Sequence, residues 1–299
     1  MSRFDSLGVF ARVADLGSFA AAARDLGISP AMVGNHARRL EAWLGAPLLL
    51  RTTRQQSLTD TSRSVLARTR LLLNGMAELE AAAERPHALT GPLRVSAPIG
   101  IGRHHVGPAL RAFAALHPGV QVELRLSDML EDMVKAGLDL AVRNGPVPGR
   151  EASLVARVIA RQELVLVASP SYLDRVGTPT RREELMQHRT VRYSRHGRAR
   201  GWAFAEDGAT VQMDPPSAFL ADNIETLLDA ACEGLGIARL PDWLVAPALA
   251  DGALCRVLPR ECPLVIDTYL VRPMTHAPSI KVRTAADHLA SAIARSMKV

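Results

Sequence analysis

No apolar run in this chain approaches the roughly 18 residues that cross a bilayer. The apolar N-terminal segment carries Asp5, Arg12 and Asp15, unlike a secretory leader, so the protein is expected to stay in the cytoplasm. Cysteine is scarce. Cys232, Cys255 and Cys262 are odd in number and lack C-x-x-C spacing, which argues against a disulfide framework or a zinc site and leaves buried thiols as the expectation. Catalytic signatures are missing too: there is no G-x-S-x-G elbow, H-E-x-x-H, P-loop or Rossmann fingerprint, so no enzyme, cofactor or metal is expected.

What is present is enough apolar material for a sizeable core, 48% of 299 residues, over a length that suggests two or three domains. The net charge of +6 is localised. Residues 1–28 balance, whereas residues 29–70 hold Arg38, Arg39, Arg51, Arg54, Arg63, Arg68 and Arg70 against only Glu41 and Asp60. Such a patch can hold a phosphate backbone through several cations at once.

Phe4, Leu7, Phe10, Val13 and Leu16 recur at helical spacing up to Gly17. Ser18 then caps an alanine-rich helix, Phe19 to Leu26, closed by Gly27. Ser29-Pro30 starts a third helix reaching about Leu44, with Val33, Ala37, Leu40 and Leu44 on one stripe and Met32, Asn35, His36 and Arg39 on other faces. Helix, glycine turn, helix is the helix-turn-helix pattern. Residues 48–51 and 55–58 read as a two-stranded wing, with Arg51 and Arg54 near its tip to reach phosphates or the minor groove. Gly34 inside the third helix costs roughly 1 kcal/mol against alanine and suggests close backbone approach or an exposed, unconstrained site. Asn35 suits adenine N6 and N7; Arg38 and Arg39 suit phosphates or guanine.

The ordered series Gly17-Ser18-Phe19, Leu26-Gly27-Ile28-Ser29-Pro30-Ala31, Arg39-Leu40-Glu41, Leu44-Gly45, Arg51-Thr52-Thr53-Arg54 and Leu58-Thr59 resembles the LysR-type transcriptional regulators. The resemblance extends over essentially the whole chain. It implies a winged helix-turn-helix whose third helix enters the major groove, and so a DNA contact set of Ser29, Pro30, Ala31, Met32, Gly34, Asn35, Arg38, Arg39, Arg51 and Arg54. The chain has Gly34 where family members usually carry serine, and Asn35 where they often carry a longer polar or basic residue, so base preference does not carry over.

Thr59 caps a proline-free run from Asp60 to about Glu84. Val65, Thr69, Leu72, Met76, Leu79 and Ala83 follow a 3.5-residue repeat, which fits pairing with a second helix or packing on its own domain. The resemblance favours a homodimer or homotetramer. The segment from Arg85 to Pro92 breaks the helix. The expected organisation is a DNA-binding domain over 1–58, a linker helix over 59–85, a hinge over 86–91 and an effector-binding domain over 92–299. Its lobe I is about 92–163 and 268–299, and its lobe II about 164–267.

From Leu93 on, short apolar runs at 93–97, 120–126, 138–142, 164–168, 236–240 and 264–271 alternate with candidate helices at 104–116, 129–136, 222–233, 242–250 and 278–296. This is an open α/β pattern, in which ligands sit beyond the carboxyl ends of strands. The candidate loops are 96–102, Ser127-Asp128, Arg143-Asn144-Gly145, Asp222-Asn223 and Gly234-Leu235-Gly236. The resemblance implies two α/β lobes like type 2 periplasmic solute-binding proteins with a small molecule in the cleft, lined by Ser96, Pro98, Ile99, Gly100, Ser127, Asn144, Asp222 and Asn223. Arg103, His104, His105, Arg143 and Arg192 would add cation character and suit an acidic metabolite. The rival reading is a solute-binding protein without a DNA role, which leaves the basic patch unexplained.

Overall fold

The computed structural model describes residues 2–51, 56–84, 89–129, 131–145, 154–195, 197–199, 201–206, 209–259, 264–274 and 278–297. The first elements are α1 (Arg3–Leu16), α2 (Phe19–Leu26) and α3 (Pro30–Leu44). Each starts on a serine whose hydroxyl accepts a backbone N–H: Ser2 from Asp5, Ser18 from Ala21 and Ser29 from Met32. Each stops on a glycine at φ 66°, a left-handed conformation that costs other residues about 1–2 kcal/mol.

Leu7, Phe10, Val13, Ala22, Ala23, Val33, Ala37, Leu40 and Leu48 close one core, while Phe4, Leu16 and Leu44 stay exposed at its rim. His36 corrects the sequence reading. It lies about 40° around α3 from Leu40, and is buried with its Nδ1 3.0 Å from Ser6 Oγ of α1.

β1 (Leu49–Arg51) and β2 (Gln56–Leu58) pair antiparallel with Leu49 opposite Leu58, as a wing requires. α4 (Asp60–Glu84) follows; Thr59 Oγ1 accepts the Ser62 N–H at 3.0 Å. Val65, Leu66 and Leu73 pack on the core of the first three helices and Thr69 is buried. The first half of the 3.5-residue seam is therefore used inside the chain, and Leu72 is left exposed.

The rest of the chain comprises β3 (Gly91–Ala97), α5 (Ile99–Ile101), a π turn (Gly102–Val106), α6 (Gly107–Leu116), β4 (Val120–Leu126), β5 (Leu140–Asn144), β6 (Leu154–Ala168) and α7 (Pro170–Val176). A 3-10 turn (Arg182–Gln187), β7 (Thr190–Arg195), β8 (Arg198–Ala199), the hairpin β9 (Trp202–Glu206) and β10 (Ala209–Met213), and β11 (Ser217–Ala221) come next. Then α8 (Ile224–Cys232), β12 (Ile237–Pro241), α9 (Asp242–Ala250), β13 (Cys255–Arg256), β14 (Leu264–Pro273) and α10 (Ile280–Ser296) complete the fold.

Of the helix expected at 129–136, the described residues 131–136 form none. Asp132 Oδ1 accepts the N–H groups of Val134 and Lys135, both at 3.0 Å, and so holds a turn in place of a helix. β7 and β11 were not among the expected strands: β7 is a mixed polar segment, and β11 is short, with only the four apolar residues Ala218–Ala221.

The large sheet runs β11-β7-β12-β6-β14-β5-β3-β4. β3 pairs parallel with β4 and β5 on one side, and β7 pairs parallel with β11 and β12 on the other. β6 and β14 cross antiparallel between the two halves. Thr268 stands opposite Ala160 and Tyr269 opposite Val158, so Ile159 is an extra residue at the crossing. Such a bulge bends and twists the pair, and it separates one lobe around α6 and α10 from another around α8 and α9. Leu93, Val95, Phe113, Leu140, Leu289, Leu227, Leu240 and Val245 belong to a core that both lobes share.

Candidate DNA interface and effector cleft

Ser29, Pro30, Ala31, Met32, Asn35, Arg38 and Arg39 are exposed on α3, with Gly34 half-exposed among them. A Cβ on Gly34 would meet nothing within 4 Å, so packing inside the chain does not ask for glycine there. Arg38 Nη2 donates to Asn35 Oδ1. That oxygen is the one that accepts adenine N6–H in a bidentate contact, so Arg38 occupies one of its two lone pairs and restricts how Asn35 can turn towards a base. Arg51 occupies its expected place in β1. Arg54 lies outside the described residues.

In the second region, the carboxyl ends of β3, β4, β5 and β11 carry four of the candidate loops, whereas Gly234-Leu235-Gly236 lies between α8 and the amino end of β12. Arg143 Nη2 donates to Ser96 Oγ at 2.7 Å and Nη1 to the Val142 carbonyl at 2.8 Å; both side chains are buried. Burial lowers the Arg143 pKa. Burial likewise pushes the Asp128 carboxyl above its usual range, opposed by the Ile99 N–H and by the charge of Arg195, while Asp222 of the opposite lobe adds to the rise. Arg195 Nη2 also donates to the Asp128 carbonyl, which ties β7 to the loop after β4. Ser96, Ile99, Asp128, Arg143, Arg195 and Asp222 thus share one electrostatic environment at the mouth between the lobes.

Other expected positions have local duties. Ser127 Oγ accepts the Met129 N–H at 3.1 Å, and Asn223 Oδ1 accepts the Thr226 N–H at 2.9 Å as the cap of α8. Pro98 immediately precedes α5. The glycines at 100 and 102 serve packing: a Cβ would collide with Ile224 Cδ1 at Gly100 and with Leu126 Cδ2 at Gly102. Asn144 Oδ1 accepts the Thr268 hydroxyl at 3.1 Å. Gln162 Nε2 donates to Thr268 Oγ1 at 3.4 Å, and Gln162 Oε1 accepts Trp243 Nε1–H at 2.8 Å. This polar chain, buried except at Asn144, fixes the crossing strands, and only the juxtaposition of β5, β6, β14 and α9 assembles it.

The expectation of a broadly cationic cleft is corrected. Arg103 Nη1 and His104 Nε2 each lie 2.9 Å from a Glu225 oxygen on α8. Burial, with the charge of His104, lowers the His105 pKa to about 4, so its ring is neutral. That ring meets Trp243 edge-on at 4.6 Å, with Nδ1 2.9 Å from Ser296 Oγ. Arg192 pairs with Asp214 at 2.5 Å and donates to the Pro215 carbonyl at 2.7 Å. Arg143 remains at the cleft, together with Arg195, which was absent from the expected set because β7 was not legible as a strand. Asp128, already named within its loop, joins them.

Cys232 and Cys255 are only partly buried, which corrects the expectation of buried thiols; Cys262 lies outside the described residues. Among the described residues no group of His, Cys, Asp and Glu could hold a metal ion, and no helix is long and apolar enough to cross a membrane.

Comparison with known proteins gives two family matches: the bacterial regulatory helix-turn-helix of the lysR family over residues 4–63, and the LysR substrate binding domain over residues 86–294. The chain is 31% identical over 293 residues to the Escherichia coli HTH-type transcriptional regulator YhjC, covering 97% of each. It is 31% identical to the Pseudomonas aeruginosa regulator PtxR over 97% of this chain and 92% of the other. The full-length Vibrio cholerae virulence activator AphB superposes with a TM-score of 0.62 at 29% identity, covering 97% of this chain and 99% of that one. With an exposed capped recognition helix ahead of a two-lobed α/β domain, and both parts matched in order, the chain belongs to the LysR family of DNA-binding transcriptional regulators with an effector-binding domain.

Proposed function

We propose that this regulator holds duplex DNA through Ser29, Pro30, Ala31, Met32, Gly34, Asn35, Arg38 and Arg39 of α3, with Arg51 and Arg54 of the wing on phosphates. The exposed, cationic outer arc of α3 is the observation that carries this reading. The DNA-binding part spans residues 1–58, the linker helix 59–85, the hinge 86–91 and the effector domain 92–299. The linker helix pairs with a second copy through Leu72 and the positions beyond it, in a dimer or a dimer of dimers.

The effector is a small organic acid whose carboxylate lies against Arg143, within a cleft formed by Ser96, Pro98, Ile99, Gly100, Ser127, Asn144, Asp222 and Asn223. Asp128 and Asp222 on the facing walls disfavour a ligand with a second negative charge at its far end. Effector binding shifts the arrangement of the heads only by its differential affinity for two states. Gel retardation of the DNA upstream of the protein's own gene, with and without metabolites of the adjacent genes' pathway, tests the reading. Calorimetry that found only neutral or cationic ligands would remove the organic-acid assignment, and absence of retardation at low salt would remove the DNA contact set.

A further inference from the structure

Beside α3, away from the wing, Ser2, Arg3, Ser6, Arg39, Leu40 and Trp43 line a crevice of about 280 Å³. The Arg3 guanidinium lies 5.0 Å from the centre of the Trp43 ring, and Trp43 is 47% exposed, a large aromatic surface left in water by a protein with only three tryptophans. Among the described residues Arg3 contacts no carboxylate. The nearby Asp5 is engaged by the Ser2 N–H at 2.6 Å, and Arg12 is matched by Asp25 at 2.5 Å. The stacked ring can fix the direction of Arg3 without cancelling its charge.

The place of the crevice follows from helix geometry. At about 100° per residue, Glu41, Arg38, Asn35, Arg39 and Trp43 succeed one another around α3 over about 200°. The Glu41 end belongs to the wing, because Glu41 Oε1 accepts the Leu48 N–H at 2.9 Å just before β1. Arg38 and Asn35 occupy the middle of the arc. The Trp43 end, with Arg39, opens into the crevice. A helix lying in a groove about 12 Å wide has a sugar-phosphate wall on each side, and the wing serves one of them.

We propose that the crevice is a second phosphate site of the head: Arg3, held by Trp43, and Arg39 close on a backbone phosphate of the wall opposite the wing. The site rests on the DNA-binding role of α3 and extends the contact surface beyond α3 and the wing to the N-terminus of α1. A phosphate contact positions the protein without reading sequence, so its loss weakens every duplex alike.

The test uses the full chain with two duplexes, the fragment upstream of its own gene and a mixed-sequence fragment of equal length. Arg3→Ala is expected to flatten the plot of log affinity against log salt by about 0.9 on both. Arg3→Lys should retain the slope, Trp43→Ala should lower affinity through a misdirected Arg3, and Arg157→Ala on the effector domain should change neither. Trp202 and Trp243 are buried, so DNA-dependent change in tryptophan emission should vanish in Trp43→Phe. An Arg3→Ala chain with unchanged melting temperature and unchanged salt slope overturns the proposal. So does a loss of affinity that tracks a fall in melting temperature at constant slope, which would leave the Arg3–Trp43 stack as helix packing. If neither duplex binds the parent chain at low salt, the DNA-binding reading itself fails, a result separate from a slope that Arg3→Ala leaves unaltered.

Discussion

Arg70 of α4 lies across Gly137: a Cβ on Gly137 would stand 3.0 Å from Arg70 Cδ and 3.1 Å from Nη1. The same guanidinium pairs through Nη2 with Asp15 of α1. Gly137 ends the turn that starts at Asp132, and this turn follows Asp128 and precedes Arg143. One side chain of α4 therefore meets both α1 and the turn that runs between Asp128 and Arg143. Gly137 has φ +64°, so Gly137→Ala combines a left-handed alanine, about 1–2 kcal/mol, with displacement of Arg70. A lower melting temperature and an altered DNA response to effector, with effector affinity retained, are expected from calorimetry and gel retardation on the same variant.

Asn35→Ala should relax base preference, costing about 1–3 kcal/mol on the preferred duplex and little on a scrambled one. Arg38→Ala removes the donor to Asn35 Oδ1, and should sharpen any adenine preference while reducing overall affinity. Equal losses for Asn35→Ala on preferred and scrambled duplexes would count against its base contact.

Asp128→Asn should stabilise the effector domain near neutral pH. The folded pKa of Asp128 is raised, chiefly by burial; its contribution to stability is therefore present below the unfolded value of 3.8 and is lost as pH rises through the folded value. An asparagine keeps an oxygen for the Ile99 N–H and carries no charge into the half-buried site. Thermal melts of both proteins against pH should converge at the acid end and separate above it; a lower melting temperature for the variant at pH 7 would oppose this account.

His105 works in the opposite direction. Its folded pKa of about 4 lies below the ordinary 6.5, so its contribution is complete above 6.5 and is lost as pH falls towards 4. The ring faces Trp243 and Ser296, with His104 as the neighbouring charge. His105→Phe retains a ring against Trp243 without a titrating nitrogen. The loss of melting temperature between pH 6.5 and 4 should be shallower in the variant than in the parent.

Leu40→Ala should cost about 2–5 kcal/mol, because Leu40 fills the core that sets α3 on α1. DNA binding should fall in proportion to the unfolded head while effector binding persists. Urea titrations followed separately by Trp43 emission and by ligand affinity would show the two behaviours.

The sequence by itself determined the head. Serine caps and left-handed glycines are local chemistry, and they placed α1, α2 and α3 without reference to anything distant. The outward positions Met32, Asn35 and Arg39 followed from the same short-range period, although His36 did not: whether a polar residue at the margin of an apolar stripe is buried depends on what the neighbouring helix offers, here Ser6. Local pattern also supplied β3, β4, β5, β6, β12 and β14 of the effector domain, whose apolar residues stand in runs, but not β7–β11 or β13.

Tertiary structure alone decided the cleft. β7 carries no apolar signature and β11 only a four-residue one; their pairing is fixed by neighbours far away in sequence, and Arg195 was illegible with β7. Whether a charge is available to a ligand was settled in the same way. Glu225 engages Arg103 and His104, Asp214 engages Arg192, and burial discharges His105. Each outcome turns on a partner or a dielectric boundary brought close by folding, and residue spacing contains no measure of either.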